Sequence, residues 1–102
     1  MRSLIFAALL TLAAAPAYAD KDSALAAIKR DGNPAKDAVW MSDNSLYVGV
    51  YDDGTNRTGL ANYYCELIRP HGVPKETLVK VVDYAKVLQK KGFHSLGQTY
   101  CK

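Results

Sequence analysis

The chain has 102 residues, 49% of them hydrophobic, and a formal net charge of +3. That length supports one small domain, near the lower limit of what a single core can stabilise. A charge this small, with no arginine cluster, excludes the electrostatic footprint of a nucleic-acid-binding protein, and the two cysteines and two histidines are not clustered as a metal-binding motif.

Residues 1–19, MRSLIFAALLTLAAAPAYA, have the order of a secretory signal peptide: Arg2, an apolar stretch from Leu4 to Ala15, and the A-x-A site Ala17-Tyr18-Ala19. Cleavage is predicted after Ala19, leaving residues 20–102 as one globular domain. The apolar run is too short to span a bilayer, and no cysteine follows the cleavage site to carry a lipid, so no stable membrane anchor is expected afterwards. A periplasmic or secreted location follows. In such a compartment Cys65 and Cys101 are expected to pair. Closing a loop of that length contributes about 3.8 kcal/mol in the chain-entropy picture. The spacing is far from the C-x-x-C of redox pairs, so the bond is read as structural.

Asp22 and Ser23 are placed to cap a short helix, SALAAIKR, which Asp31-Gly32-Asn33-Pro34 stops. Ala38–Met41 reads as a strand, and Ser42–Ser45 as a turn into LYVGVY. In that second strand Leu46, Val48 and Val50 share one face and Tyr47, Gly49 and Tyr51 the other. Gly49 weakens a strand unless something packs closely over it, and a helix or an aromatic ring is the expected neighbour. Trp40, the one tryptophan, is expected in the core with its N–H bonded.

Asp52, Asp53 and Gly54 form an acidic turn, with Gly54 at positive φ. A helix then starts near Thr58, with Asn56 or Thr58 accepting from its first amides. Leu60, Ala61, Tyr64, Leu67 and Ile68 fall at helical spacing, and Pro70 and Gly72 end it. Thr77–Val82 is rich in β-branched residues and reads as a strand rather than a helix. Asp83 then caps a helix over Tyr84–Lys91, closed by Gly92, and Phe93–Lys102 is a tail pinned by Cys101. The order α-β-β-α-β-α predicts an α+β fold: a small three-stranded mixed sheet with a hairpin, a parallel pair joined through the central helix, and one disulfide.

The functional signals are thin. His71 and His94 lack metal-ligand spacing, the acidic turn lacks the D-x-D-x-D-G order of a calcium loop, and no serine lies in a nucleophile elbow. No catalytic, cofactor or metal residues are assigned. The Asn56-Arg57-Thr58 sequon would matter only in a eukaryotic secretory pathway, whereas the leader has a bacterial character. Seven tyrosines are a rich supply for this length. Tyr63 and Tyr64 are adjacent on a helix and cannot both face the core, which turns Tyr63 outward near Arg57 and Arg69. Tyr and Arg are residues that interfaces favour. The expectation is a non-enzymatic module that binds another envelope or secreted protein through Arg57, Tyr63 and Arg69. A small hydrolase-like enzyme using the acidic turn and a histidine, or an inhibitor of an envelope enzyme, is the alternative. Lys75, Lys80, Lys86, Lys90, Lys91 and Lys102 against Glu76 and Asp83 make the C-terminal part basic.

Overall fold

A computed structural model of the chain describes residues 16–102. The predicted leader lies outside them up to residue 15, and its last four residues begin the first helix. Helix α1 (Pro16–Asp31) is followed by β1 (Asp37–Ser42), β2 (Ser45–Val50), α2 (Thr58–Ile68), a 3₁₀ turn (Arg69–His71), β3 (Leu78–Asp83), α3 (Tyr84–Leu88) and β4 (Ser95–Tyr100). The fold is α+β with a mixed sheet and one disulfide. The sheet has four strands in the order β1-β2-β3-β4, not the three predicted. The added strand is the supposed tail. Its sequence, SLGQTY, carries few apolar side chains and a central glycine, so alternation alone does not mark it. Pairing with β3 makes it a strand.

β1 and β2 form the antiparallel hairpin, β2 and β3 run parallel through the α2 crossover, and β4 returns antiparallel to β3. The central parallel pair is regular from Ser45↔Leu78 to Val50↔Asp83, whereas both outer pairings shift register, between Trp40 and Ser42 and between Val81 and Val82. α1 starts earlier than expected because the alanine-rich run has high helix propensity, so Asp22 and Ser23 lie inside it rather than at its cap. α3 is shorter than expected. It stops at Leu88, and Lys90 at φ 60° and Gly92 at φ 95° turn the chain back towards β4.

The core lies on one face of the sheet. Leu46, Val48, Val50, Val79 and Val81 are fully buried beneath Ala24 and Ile28 of α1 and Ala61, Tyr64 and Ile68 of α2. Trp40 is half-buried at the margin of this core and donates its indole N–H to the Lys21 carbonyl at 3.1 Å, which ties β1 to α1. On the other face, a Cβ at Gly49 would lie 2.9 Å from Tyr84 Cδ1, so an aromatic ring is the close neighbour that the glycine accommodates. Asp83 caps α3 by accepting from the Lys86 amide at 3.3 Å, which lets the helix follow the strand without a loop.

Helix α2 is held against β4 at both ends. Cys65 is bonded to Cys101. At the other end the Arg57 amide donates to the Leu96 carbonyl at 2.9 Å, and the backbone of Arg57 and Thr58 occupies the space where a Gly97 side chain would stand. Gly97→Ala is therefore expected to destabilise by about 3 kcal/mol, because neither backbone can yield without breaking the helix start or the strand. Gly59 lies on the open side of the same helix, where a Cβ would meet nothing within 4 Å. Gly59→Ala should gain up to about 1 kcal/mol from helix propensity. Urea denaturation of the two variants measures the contrast, and equal stabilities would mean that α2 and β4 do not approach so closely.

Candidate functional site

The acidic turn satisfies itself. Asp52 Oδ1 accepts from the Gly54 amide at 2.9 Å, and Asp53 Oδ1 accepts from the Thr55 amide at 3.0 Å and its hydroxyl at 2.6 Å. Gly54 has φ 86°, as the turn requires. Asn56 Oδ1 accepts from the Thr58 amide at 2.8 Å, opening α2. The Thr55 hydroxyl, more than any other neighbour, holds the Asp53 carboxyl below its ordinary range, with help from the Thr55 amide and the Arg57 charge. These carboxylates organise a loop. Among the described residues no group of three His, Cys, Asp or Glu is placed to hold a metal ion.

The residues singled out as an interaction surface do not form one patch. Arg57 turns back along the loop, 3.4 Å from Asp53 Oδ2, and donates to the Tyr51 carbonyl at 3.3 Å. Tyr63 is 47% exposed, but its hydroxyl donates to Asp31 Oδ1 at 2.9 Å, stapling α2 to the end of α1. That hydrogen bond raises the phenol above its ordinary pKa. Arg69 donates to Glu66 Oε2 at 2.7 Å on its own helix. Tyr63 and Arg69 do share a groove of about 470 Å³, in which Asn62 and Glu66 of α2 face Thr99 and Tyr100 of β4. The histidines serve the frame. His71 Nδ1 lies 2.9 Å from Ser23 Oγ, and His94 Nε2 lies 3.0 Å from the Lys91 carbonyl. Each of these ring contacts meets a hydroxyl or a carbonyl, where an acid–base pair with the acidic turn would need a carboxylate.

A second surface, not singled out from the sequence, is the outer face of the sheet. Among the described residues both long helices pack on the core face, and only α3 reaches the other. Val39 of β1 is 46% exposed there and Phe93 44%, and Met41, where β1 slips register at the Val39 end of the face, is 46% exposed. Val39 stands opposite Tyr47, whose ring meets Phe93 edge-on with centroids 5.3 Å apart. Val39, Tyr47, Tyr84, Val87 and Phe93 line a shallow hollow of about 60 Å³. Lys80 Nζ lies 5.1 Å from the centre of the Tyr47 ring, and Lys36 Nζ 5.5 Å from that of Tyr51. The signal was present in Ala38-Val39-Trp40-Met41: four apolar residues in one strand put two on each face. No protein-family model, no curated protein and no solved structure matches this chain.

Because the Asp53 pKa is lowered in the folded state, its stabilising contribution is present above the ordinary aspartate pKa and is lost as pH falls through the lowered one. Thr55→Val removes the largest cause, so the Asp53 carboxyl should titrate nearer to an ordinary aspartate, as read by carbon-13 NMR. An unchanged titration would show that Thr55 does not hold it. Tyr64 is fully buried, and burial pushes its phenol up to about 12. The Ala35 amide beside it gives its hydrogen to the Gly32 carbonyl, and among the described residues the Tyr64 hydroxyl has no partner. Tyr64→Phe should thus raise stability by about 1 kcal/mol in chemical denaturation; a loss of that size would mean the hydroxyl is satisfied in solution.

Proposed function

We propose that this chain is a small exported, disulfide-stapled, non-enzymatic module that binds another envelope or secreted protein, and that it does so through the outer face of its sheet. The observation that carries the reading is the run of half-exposed apolar side chains, Val39, Met41, Tyr47 and Phe93, across neighbouring elements on a face that, among the described residues, α3 covers at one end only. Burying contiguous apolar area is the main source of protein–protein affinity, and such patches are uncommon on surfaces that meet only water. Tyrosine adds a rigid ring with a polar tip at little entropic cost. The groove beside α2 is larger. However, its aromatic and cationic side chains, Tyr63 and Arg69, are engaged by Asp31 and Glu66, so a partner would have to break those contacts. Export is supported by the order of residues 1–19 and by the cystine. An inhibitor of an envelope enzyme is a special case of the same reading.

The test pairs two sets of variants in affinity capture from periplasmic extract, with circular dichroism as the control for folding. Val39→Ser with Met41→Ser should lower capture of the partner by more than tenfold, about 2 kcal/mol, as the loss of a hot spot does. Tyr63→Ala and Arg57→Ala should leave it within about twofold. The reverse pattern would move the site to α2 and its turn, and undiminished capture by every folded variant would remove both surfaces.

A further inference from the structure

Resting on that reading of the outer face, we infer that its partner is an acidic protein, one that presents carboxylates around an apolar centre. Unpaired charge is unevenly distributed over the fold. Among the described residues the ion pairs are Lys21–Asp43, Lys29–Asp37, Arg57–Asp53 and Arg69–Glu66, and each includes a cation of α1, of α2 or of the turns that flank α2. The lysines of the other side have no carboxylate within ion-pair distance among those residues. Lys80 lies over Tyr47 in the middle of the face, and Lys36 lies over Tyr51 at one end, donating to the Asn33 amide oxygen. Lys86, Lys90 and Lys91 follow on α3 and the turn that delivers Phe93. Of the carboxylates on the strands of this face, Asp37 lies 3.7 Å from Lys29 of α1, and Asp83 is buried and caps the start of α3.

An apolar centre flanked by uncompensated lysines selects its occupant. A second copy would set lysine against lysine around the same patch, which like-charge repulsion disfavours. A bilayer surface would attract the lysines. Peripheral anchors, though, sink apolar side chains below the headgroups, and Val39, Met41 and Phe93 stand half-sunk among their neighbours on a sheet face. A protein with its own apolar patch and a carboxylate rim meets both demands at once. It covers the rings and gives each ammonium a partner where water is excluded, and it gains encounter rate from the attraction.

The experiment uses the full chain with a photo-crosslinking benzophenone residue at position 93, in cells, with mass-spectrometric identification of the product. The identified protein should then bind the purified chain with an affinity that falls at least tenfold between about 0.05 M and about 0.5 M salt. Lys36→Glu with Lys80→Glu should abolish the product, whereas Lys36→Gln with Lys80→Gln, which removes the charges without reversing them, should give an intermediate yield. If Val39→Ser with Met41→Ser abolishes the product while salt and the glutamate pair leave it unchanged, the face is a binding face but its partner is not selected by charge, and the inference fails alone. If none of these changes matters, the reading of the face falls with it. A product made of two copies of this chain would overturn the inference, as would binding to phosphatidylglycerol vesicles with no protein product.

Discussion

Everything in this fold is arranged around the way α2 lies on β4. The helix belongs by sequence to the crossover between β2 and β3, yet its two anchors are on the fourth strand and the residue that follows it: the Arg57–Leu96 hydrogen bond over Gly97 at its start, and Cys65–Cys101 further along. A helix that connects two parallel strands has freedom to rock across the sheet. Pinning it twice to a strand outside its own crossover removes that freedom, and it fixes which side of α2 meets Val48, Val79 and Val81. For a domain this small, with few core side chains, two such constraints are a large fraction of what separates one packed state from several.

That arrangement leaves the opposite face of the sheet thinly covered, and the proposed binding surface lies there. With α1 and α2 both on the core face, the other face has, among the described residues, only a five-residue helix to cover it. Tyr84 closes over Gly49, and Phe93 reaches Tyr47, but β1 keeps Val39 and Met41 turned to water. The groove beside α2 is the opposite case, concave but internally satisfied, with side chains that act as struts between elements. The distinction between a surface already in use and a surface without a partner cannot be made from residue type alone, since tyrosine and a cation occur at both.

Much of the frame was legible in the sequence because its determinants are local. The alternation of LYVGVY, the Asp53-Gly54 turn, the Pro70/Gly72 stop and the Asp83 cap each depend on residues within a few positions, and the cystine follows from having two cysteines in a chain read as exported. β4 was not legible. SLGQTY becomes a strand because Leu78–Val82 offers it a ladder and because Gly97 admits α2, and both conditions are set by distant residues. The same holds for the surface. Tyr63 was correctly turned away from the core, but its partner Asp31 lies 32 positions earlier, and no local pattern foretells that contact. Val39 and Met41 are the exception, since four consecutive apolar residues in a six-residue strand carry more apolar surface than one buried face can take.

The shifts of register in the two outer pairings bear on a different matter, the fate of a four-stranded sheet whose flanks are open. Straight, regular border strands invite further strands from other molecules, and chains kept at high concentration polymerise that way. Here irregularity is confined to the borders, where β1 slips after Trp40 and β4 slips beside Val82, while the inner pair stays in step. A slipped strand is locally bent and more twisted, so it makes a poor template. On the β4 side the Leu96 carbonyl is already taken by Arg57. Growth by strand addition is thereby discouraged on both flanks, and the face proposed for binding is flat and side-chain-mediated, which favours discrete complexes over fibres.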